Sequence, residues 1–106
     1  LRLGLVDDLR NPFPPTADSV AIGEPIYFAA CAACHGDSGL GDGTAGVGLP
    51  KEPADLIVHV PLHSDTILYE FIRDGISEAG MPGQEDSLTE DEMWHLVNYL
   101  RAQFDN

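Results

Sequence analysis

The sequence predicts a small all-α fold of about three to four helices, joined by long loops rich in glycine and proline. Two segments, one in the middle and one at the end, carry apolar residues at helical spacing, and each begins with a capping residue. No segment carries the clear period-two pattern of a strand. The 106 residues include 11 glycines and 8 prolines, which leaves room for one small domain with short helices.

The chain is divided at residue 18, with residues 1–18 as an extended N-terminal connector and residues 19–106 as the folded domain. Leu1, Leu3 and Leu5 alternate with other residues and are able to pair or pack with another element. The prolines of Asn11–Thr16 favour an extended, polyproline-like backbone. A disordered leader is the alternative, because chain termini fray unless they are tied down.

The first helix is expected to open at Asp18 or Ser19, since either side chain is able to cap it, and to run to about Ala32. Pro25 lies inside this helix, where it removes one backbone hydrogen bond and bends the helix locally. The predicted apolar face consists of Ile22, Ile26 and Ala29–Ala30.

Two consecutive loops are predicted to follow. Gly36–Pro50 is rich in glycine, but it lacks the Gly-Lys-Ser/Thr ending of a phosphate-binding loop. Lys51–Pro61 continues as loop, and its apolar segment Leu56–Val58 is expected to pack against the core.

The middle helix is predicted to open at Ser64 or His63, to run through Asp74 and to stop at Gly75, which suits a left-handed stop. Its apolar face consists of Ile67, Leu68, Phe71 and Ile72.

The last helix is predicted from a capping box, in which Thr89 and Glu92 satisfy each other's backbone N–H groups. It ends near Phe104, and Arg101 suits the negative helix end. Another loop, Gly80–Gly83, precedes it. Its buried stripe consists of Met93, Leu96, Val97, Leu100 and Phe104.

The segment Cys31-Ala-Ala-Cys-His35 carries the chemistry of the chain. On a helical turn, residues three and four apart share a face, so both thiols and the imidazole point the same way. Two sulfurs then hold the edge of a porphyrin while the His35 imidazole ligates the iron. The sequence therefore predicts one covalently attached haem c, with Cys31, Cys34 and His35 as its binding residues and His35 as an iron ligand.

Three other uses of the cysteine pair are weaker. A structural zinc site needs four ligands, but the chain has no third cysteine and His59, His63 and His95 are scattered. A thioredoxin-like redox pair belongs near a βαβ pattern, which the sequence lacks. A plain disulfide stays open, since an exported chain is able to carry one.

The second axial ligand decides what the iron can do. The candidates are Met81, Met93, His59, His63, His95 or none. Met93 belongs to a helical stripe, where methionine usually fills the core, and His95 is expected to be solvent-exposed or at the helix edge. Met81 is preferred, because the flanking glycines permit close approach and the following proline restricts the backbone. His59 and His63, in a loop bounded by prolines, remain the alternatives, followed by an open position.

The charge is lopsided, with 18 acidic residues against 5 basic ones and a formal net charge of −13. Nucleic acid and anionic membranes repel such a surface, which disfavours both as partners. A redox protein with a basic docking patch is favoured, although solubility or a saline habitat explains the acidity equally well. A negative rim beside the Met81 loop is predicted, and helix capping explains part of it. The rim residues are Glu78, Glu85, Asp86, Glu90, Asp91 and Glu92.

With these motifs, residues 19–104 resemble the monohaem class I cytochromes c. Gly23 and Tyr27 are similar to the residues by which the first helix of that family crosses the last. Leu96 and Tyr99–Leu100 are similar to their partners on the last helix. Three further segments are similar to haem c domains of bacterial membrane respiratory complexes: Gly39–Gly43, Pro53–Leu56 and His63–Asp65.

One position departs from the family pattern. Relatives often have a proline after the glycine at position 43, in a region that helps a backbone carbonyl accept the N–H of the ligand imidazole. Thr44 stands there in this chain, and Leu49–Pro50 is another candidate for supplying that carbonyl.

The resemblance implies an electron carrier rather than an enzyme, because His/Met ligation raises the haem potential and leaves no vacancy for substrate. It implies respiratory-type redox partners, for a chain either free or inside a larger membrane complex whose subunits contact residues 1–18. It also implies a periplasmic or other extracytoplasmic location, free or tethered. The sequence shows neither a signal peptide nor a bilayer-spanning stretch. One alternative is a peroxidase-like enzyme, which needs Met81 absent from the iron or easily displaced. The other is a gas- or redox-sensing module, which requires an attached output domain that these residues do not contain.

Overall fold

The computed structural model describes residues 10–105, and among these it contains five α-helices, three 3₁₀ turns and one bridged residue pair in place of any strand. The helices are α1 (Ala17–Ala30), α2 (Ala32–His35), α3 (Leu56–His59), α4 (Asp65–Asp74) and α5 (Glu90–Phe104). The 3₁₀ turns cover Thr44–Gly46, Val60–Leu62 and Ser77–Ala79. The all-α prediction is confirmed, with α2 and α3 as single turns beyond the three long helices. No helix among these residues is both long and apolar enough to cross a bilayer.

Helix α1 begins earlier than the sequence predicts. Thr16 caps it, because the Thr16 side-chain oxygen accepts a hydrogen bond from the Ser19 backbone N–H at 3.1 Å. The prediction of Asp18 or Ser19 as the cap is therefore wrong. Asp18 lies in the first turn instead, where an acid suits the positive helix end. The helix ends at Ala30, and Cys31 follows as its C-terminal cap.

The predicted apolar face of α1 is also wrong. The fully buried residues of this helix are Ser19, Gly23 and Tyr27. Ile22 is 46% exposed, and Ile26 is only partly buried. The buried stripe is set by the close approach of α5, which requires a small residue at Gly23, whereas Tyr27 packs one turn further on against Tyr99. The helix continues through Pro25, and the local bend there stays a prediction.

Helices α1 and α5 cross at Gly23. A Cβ atom at this position would lie 2.2 Å from the His95 carbonyl oxygen and 2.8 Å from the Tyr99 Cβ atom. One helical turn further, the ring centroids of Tyr27 and Tyr99 are 5.4 Å apart, and those of Tyr27 and Phe104 are 5.6 Å apart. These contacts confirm the crossing that the resemblance implies.

Residues 56–62 form a helical turn rather than the predicted loop. Asp55 caps α3 by accepting a hydrogen bond from the Ile57 backbone N–H at 3.0 Å. Ile57 and Val58 are 47% and 55% exposed, so the prediction that Leu56–Val58 packs as a unit is wrong. Because a helical turn places residues four apart on one face, Val60 and the partly buried Leu56 point inward instead.

Helix α4 follows the prediction closely. The Ser64 side chain accepts a hydrogen bond from the Ile67 N–H at 3.2 Å, and the helix stops at Gly75, whose φ is +70°. Its buried residues are Leu68, Tyr69 and Ile72. Ile67 is 37% exposed, so Tyr69 replaces it on the inner face.

Helix α5 is the centre of the core. The capping box is confirmed, since the Thr89 N–H donates to Glu92 Oε1 at 2.8 Å and the Glu92 N–H donates to Thr89 Oγ1 at 3.1 Å. The helix ends at Phe104, and every residue of the predicted stripe is buried. Trp94, Asn98 and Tyr99 are buried as well, because α5 packs against both α1 and α4.

Residues 11–14, before α1, pack on the helical body without forming regular structure. The Phe13 ring lies over His95 with centroids 4.2 Å apart, and the Asn11 side chain donates to Asn98 Oδ1 at 2.7 Å. These contacts do not fit a disordered leader over residues 11–14. The division into a connector, 1–18, and a domain, 19–106, stays a prediction, and Leu1–Leu5 lie outside the described residues.

Candidate cofactor site

The two cysteines and His35 lie on one short turn at the junction of α1 and α2. Cys31 closes α1 by donating its backbone N–H to the Tyr27 carbonyl at 2.8 Å. The His35 N–H then donates to the Cys31 carbonyl at 2.9 Å, so the segment is helical. Gly36, with a φ of +85°, ends the turn. Cys31, Cys34 and His35 consequently line one cavity, as the spacing predicts.

Both cysteines are free thiols, so no disulfide joins Cys31 to Cys34. Burial raises the pKa of the Cys31 thiol to about 12, and the neighbouring Cys34 adds to this rise. The Cys31 thiol of the chain alone is therefore protonated at neutral pH. Among residues 10–105, no group of three or more His, Cys, Asp or Glu side chains is placed to hold a metal ion, which leaves the structural zinc alternative without support.

The cavity is one lobe of a two-lobed cleft. The lobes have volumes of about 210 and 290 Å³. Both lobes are lined by Cys31, His35, Ala54, Ile72, Ile76 and Met81. The first lobe adds Cys34 together with Lys51 and Glu52, and the second adds His59 and His63. The predicted ligands thus meet in one mostly apolar cleft.

His35 is held by a backbone carbonyl that the sequence did not single out. Its Nδ1 atom lies 3.1 Å from the Ala54 carbonyl oxygen. Because a carbonyl only accepts, this contact places a proton on Nδ1 and leaves the Nε2 lone pair free for a metal. Neither the Gly43 region nor Leu49–Pro50 supplies this carbonyl; the Gly43 N–H instead donates to the Cys34 carbonyl at 3.0 Å. The available sequence signal for this carbonyl was Asp55, because its cap on α3 fixes the backbone of the preceding residue, Ala54.

Tyr27 holds the other end of the same turn. Its hydroxyl donates to the Gly36 carbonyl at 2.6 Å, and the side chain is fully buried. Burial is the main reason that the pKa of the Tyr27 hydroxyl is raised. Sequence reasoning assigned Tyr27 only a packing role. Its spacing of four residues before Cys31, which puts both on one helix face, was the available signal.

Met81 is fixed at the edge of the cleft by a two-residue bridge. The Ile76 N–H donates to the Met81 carbonyl at 2.9 Å, and the Met81 N–H donates to the Ile76 carbonyl at 3.1 Å. Gly75 and Gly80 both have positive φ, at +70° and +82°. A Cβ atom on Gly75 would lie 2.4 Å from the Met81 carbonyl oxygen, so only glycine fits beside the bridge.

The other candidates for the second axial ligand separate into two groups. His59 and His63 line the second lobe of the cleft, and the His63 ring lies edge-on to Phe71 with centroids 5.3 Å apart. Met93 is buried in the core, as predicted. His95 faces α1, where its Nδ1 atom lies 2.7 Å from Ser19 Oγ. The cleft therefore brings Met81, His59 and His63 together and leaves Met93 and His95 elsewhere.

Residues 18–100 match the family model described as cytochrome c oxidase, cbb3-type, subunit III. The chain belongs to this family of c-type cytochromes. No curated protein matches the cytochrome sequence.

Several solved structures are similar to the cytochrome. A reducing HAO-like protein complex from Kuenenia stuttgartiensis contains a chain that is 26% identical with a TM-score of 0.79, over 93% of this chain and 50% of that one. Cytochrome cL from Hyphomicrobium denitrificans is 29% identical with a TM-score of 0.55, over 78% and 46%. Cytochrome cL from Methylophaga aminisulfidivorans, 24% identical with a TM-score of 0.66 over 97% and 65%, shows the fold alone.

The cytochrome spans about half the length of the first of these chains. The family of the cytochrome shows that it carries covalently bound haem c with iron and that it functions in electron transfer. The cleft fits this cofactor, because two free thiols, an imidazole with its Nε2 atom available and a thioether line one apolar space.

The negative rim beside the Met81 loop stays a prediction, and two of its acids lie in a groove that also contains basic residues. Glu78 is exposed in the 3₁₀ turn whose last residue lines the cleft. Glu85 and Glu90 line a separate groove together with Arg10 and Arg73. This groove therefore has mixed charge, whereas Glu78 and Glu85 each directly adjoin a residue that lines the cleft, Ala79 and Gln84 respectively.

Proposed function

We propose that the cytochrome carries single electrons on one haem c, held through thioethers by Cys31 and Cys34 and ligated through its iron by His35 and Met81. The observation that carries this proposal is the cleft, which Cys31, His35 and Met81 line on both lobes. The bound haem supplies a ferrous–ferric couple, and the protein sets its potential and its access to partners.

The side chains at the cleft have separate tasks in this function. The Ala54 carbonyl holds the His35 ring by Nδ1 and so presents Nε2 to the iron. The Met81 thioether favours the ferrous state and raises the potential. With both axial positions taken, the cytochrome has no vacancy for a substrate, which supports a carrier rather than an enzyme.

The covalent attachment is tested with the Cys31→Ser and Cys34→Ser variants of the holoprotein. We expect the wild-type protein to keep its pigment in acidic organic solvent, each single variant to keep it through one thioether, and the double variant to release it. Ser38→Ala, an exposed change just after the turn, serves as the control and keeps the pigment. Complete release from the wild-type protein would refute the attachment.

We further propose respiratory-type redox partners on the extracytoplasmic side, where c-type cytochromes typically lie, with residues 1–18 as the connector to a tether or to complex subunits. The net charge of −13 supports a partner with a basic docking patch. Two of the four basic side chains among residues 10–105, those of Arg73 and Arg101, are in ion pairs with Asp74 and Asp65.

Docking is tested by measuring the rate of electron transfer to a basic redox protein against ionic strength. We expect the rate to fall as salt increases, because surface charges are screened beyond about 8–10 Å at physiological salt. Glu78→Gln is expected to flatten this dependence, whereas Asp18→Asn, an exposed acid at the start of α1, leaves it unchanged. A flat dependence in the wild-type protein would remove the docking proposal.

A further inference from the structure

A buried amide on α5 takes its hydrogen-bond partners from the chain before and at the start of α1. Asn98 is 1% exposed. Its Oδ1 atom accepts from Asn11 Nδ2 at 2.7 Å, and its Nδ2 atom donates to Ser19 Oγ at 2.8 Å. The same Nδ2 atom lies 3.3 and 3.4 Å from the carbonyl oxygens of Phe13 and Pro14. Because a buried amide without hydrogen-bond partners is costly, Asn98 stabilises the packing of this segment against α5.

We name residues 10–15 the strap. The strap is tied to the helical body at two points, since Asn11 Nδ2 also lies 3.3 Å from Asp65 Oδ2 at the start of α4. The other carboxylate oxygen, Asp65 Oδ1, accepts from Arg101 Nε at 2.8 Å. One carboxylate therefore joins the strap to the guanidinium of Arg101.

That guanidinium holds part of the cleft wall. Arg101 Nη1 donates to the Val60 carbonyl at 2.9 Å, and Arg101 Nη2 donates to the His63 carbonyl. Val60 and His63 both line the second lobe of the cleft. Asp105 accepts from Nη1 at 3.0 Å, so the guanidinium is engaged on all three nitrogens. The fork geometry of arginine suits this task, and lysine cannot reproduce it.

We propose that Asn11, Asp65 and Arg101 form a positioning relay, through which the seating of the strap sets the wall of the haem cleft at Val60 and His63. This inference rests on the proposed function, because it takes the cleft as the haem site. A partner or an upstream segment that lifts the strap would loosen the wall and admit outside ligands to the iron. Arg101 and Asn11 are positioning residues, since they act through the wall and not on the cofactor.

The relay is tested by the affinity of the ferric holoprotein for added imidazole, read from the visible spectrum. We expect Asn11→Ala and Arg101→Lys to tighten apparent imidazole binding about three- to tenfold, because each removes a hydrogen bond to a charged group in the relay. Because both act on one path, the double variant is expected to bind about as tightly as the stronger single variant rather than at the product of the two effects.

Two controls separate the relay from a general loss of stability. Ser19→Ala removes another partner of Asn98 but has no contact in the relay, and Arg73→Lys alters an arginine whose ion pair with Asp74 lies outside it. Both are expected to leave imidazole affinity unchanged even where they lower the melting temperature.

Three results would overturn the relay: unchanged affinity in Asn11→Ala and Arg101→Lys, an equal change in the two controls, or multiplicative effects in the double variant. The wild-type spectrum keeps the two proposals apart. A wild-type protein without the spectrum of covalent haem refutes the proposed function, whereas a normal wild-type spectrum with unresponsive variants refutes the relay alone.

Discussion

Gly23→Ala sets two effects of opposite sign against each other. Alanine is favoured over glycine inside a helix by about 1 kcal/mol, so local propensity alone predicts a more stable protein. At the crossing with α5, however, the new Cβ atom would lie 2.2 Å from the His95 carbonyl oxygen and 2.8 Å from the Tyr99 Cβ atom. Comfortable carbon contacts are about 3.5–4.0 Å, so α1 and α5 must separate by about 1 Å.

Overpacking of this kind costs about 1–3 kcal/mol, and a clash with backbone lies at the upper end. After the gain in propensity, we expect a net loss of about 1–2 kcal/mol in the free energy of unfolding. For a domain of this size, that loss corresponds to a drop of about 4–16 °C in melting temperature. The separation also moves Tyr27 away from Tyr99 and disturbs the turn that carries Cys31.

The assay is thermal unfolding of the holoprotein followed by circular dichroism. Ala29→Gly, at an exposed position of the same helix, calibrates propensity without a clash and is expected to cost about 1 kcal/mol. A Gly23→Ala protein that melts at or above the wild-type temperature would refute the close crossing, because propensity would then be the only effect present.

Two further substitutions test how the site is held. Tyr27→Phe removes the hydroxyl that donates to the buried Gly36 carbonyl. In denaturant titrations at constant m value, we expect this variant to lower the free energy of unfolding by about 1–3 kcal/mol. A loss below about 0.5 kcal/mol would contradict the role of this hydrogen bond. Gly75→Ala places a side chain at a φ of +70° and 2.4 Å from the Met81 carbonyl oxygen, and it is expected to cost more than Gly48→Ala, where φ is +88° and nothing lies within 4 Å. Equal losses in these two glycine variants would show that only backbone strain matters and that the bridge beside Met81 does not.

The predictable parts of the fold are those set by local chemistry. The Thr89 capping box and the Ser64 cap depend on residues three positions apart, and the structure has both. The apolar stripe of α5 is buried throughout, because this helix packs on several neighbours and its period alone decides the inner face.

The errors arise where one element depends on another. The buried face of α1 is decided by how closely α5 approaches Gly23, so the apolar residue Ile22 is left exposed. The apolar run Leu56–Val58 predicts a segment that packs as a unit, whereas the Asp55 cap makes it helical and turns Ile57 and Val58 outward.

The same division holds at the site. The spacing of the cysteine–histidine motif was enough to place Cys31, Cys34 and His35 on one side of a turn. The carbonyl that orients His35 comes from Ala54. Because any residue type supplies a backbone carbonyl, the identity of residue 54 does not indicate this contact. The links of Arg101 to Val60 and His63 are equally long-range and were not visible in the sequence.

The central claim is that the iron lies between the His35 imidazole and the Met81 thioether, and the most direct measurement is the sulfur–iron charge-transfer band of the ferric holoprotein. We expect the band in the wild-type protein and in Met93→Leu, and its loss in Met81→Ala. A wild-type protein without the band, or a Met81→Ala protein that keeps it, would contradict the assignment. The first of these results would favour His59 or His63 as the second iron ligand, since both line the same lobe as Met81.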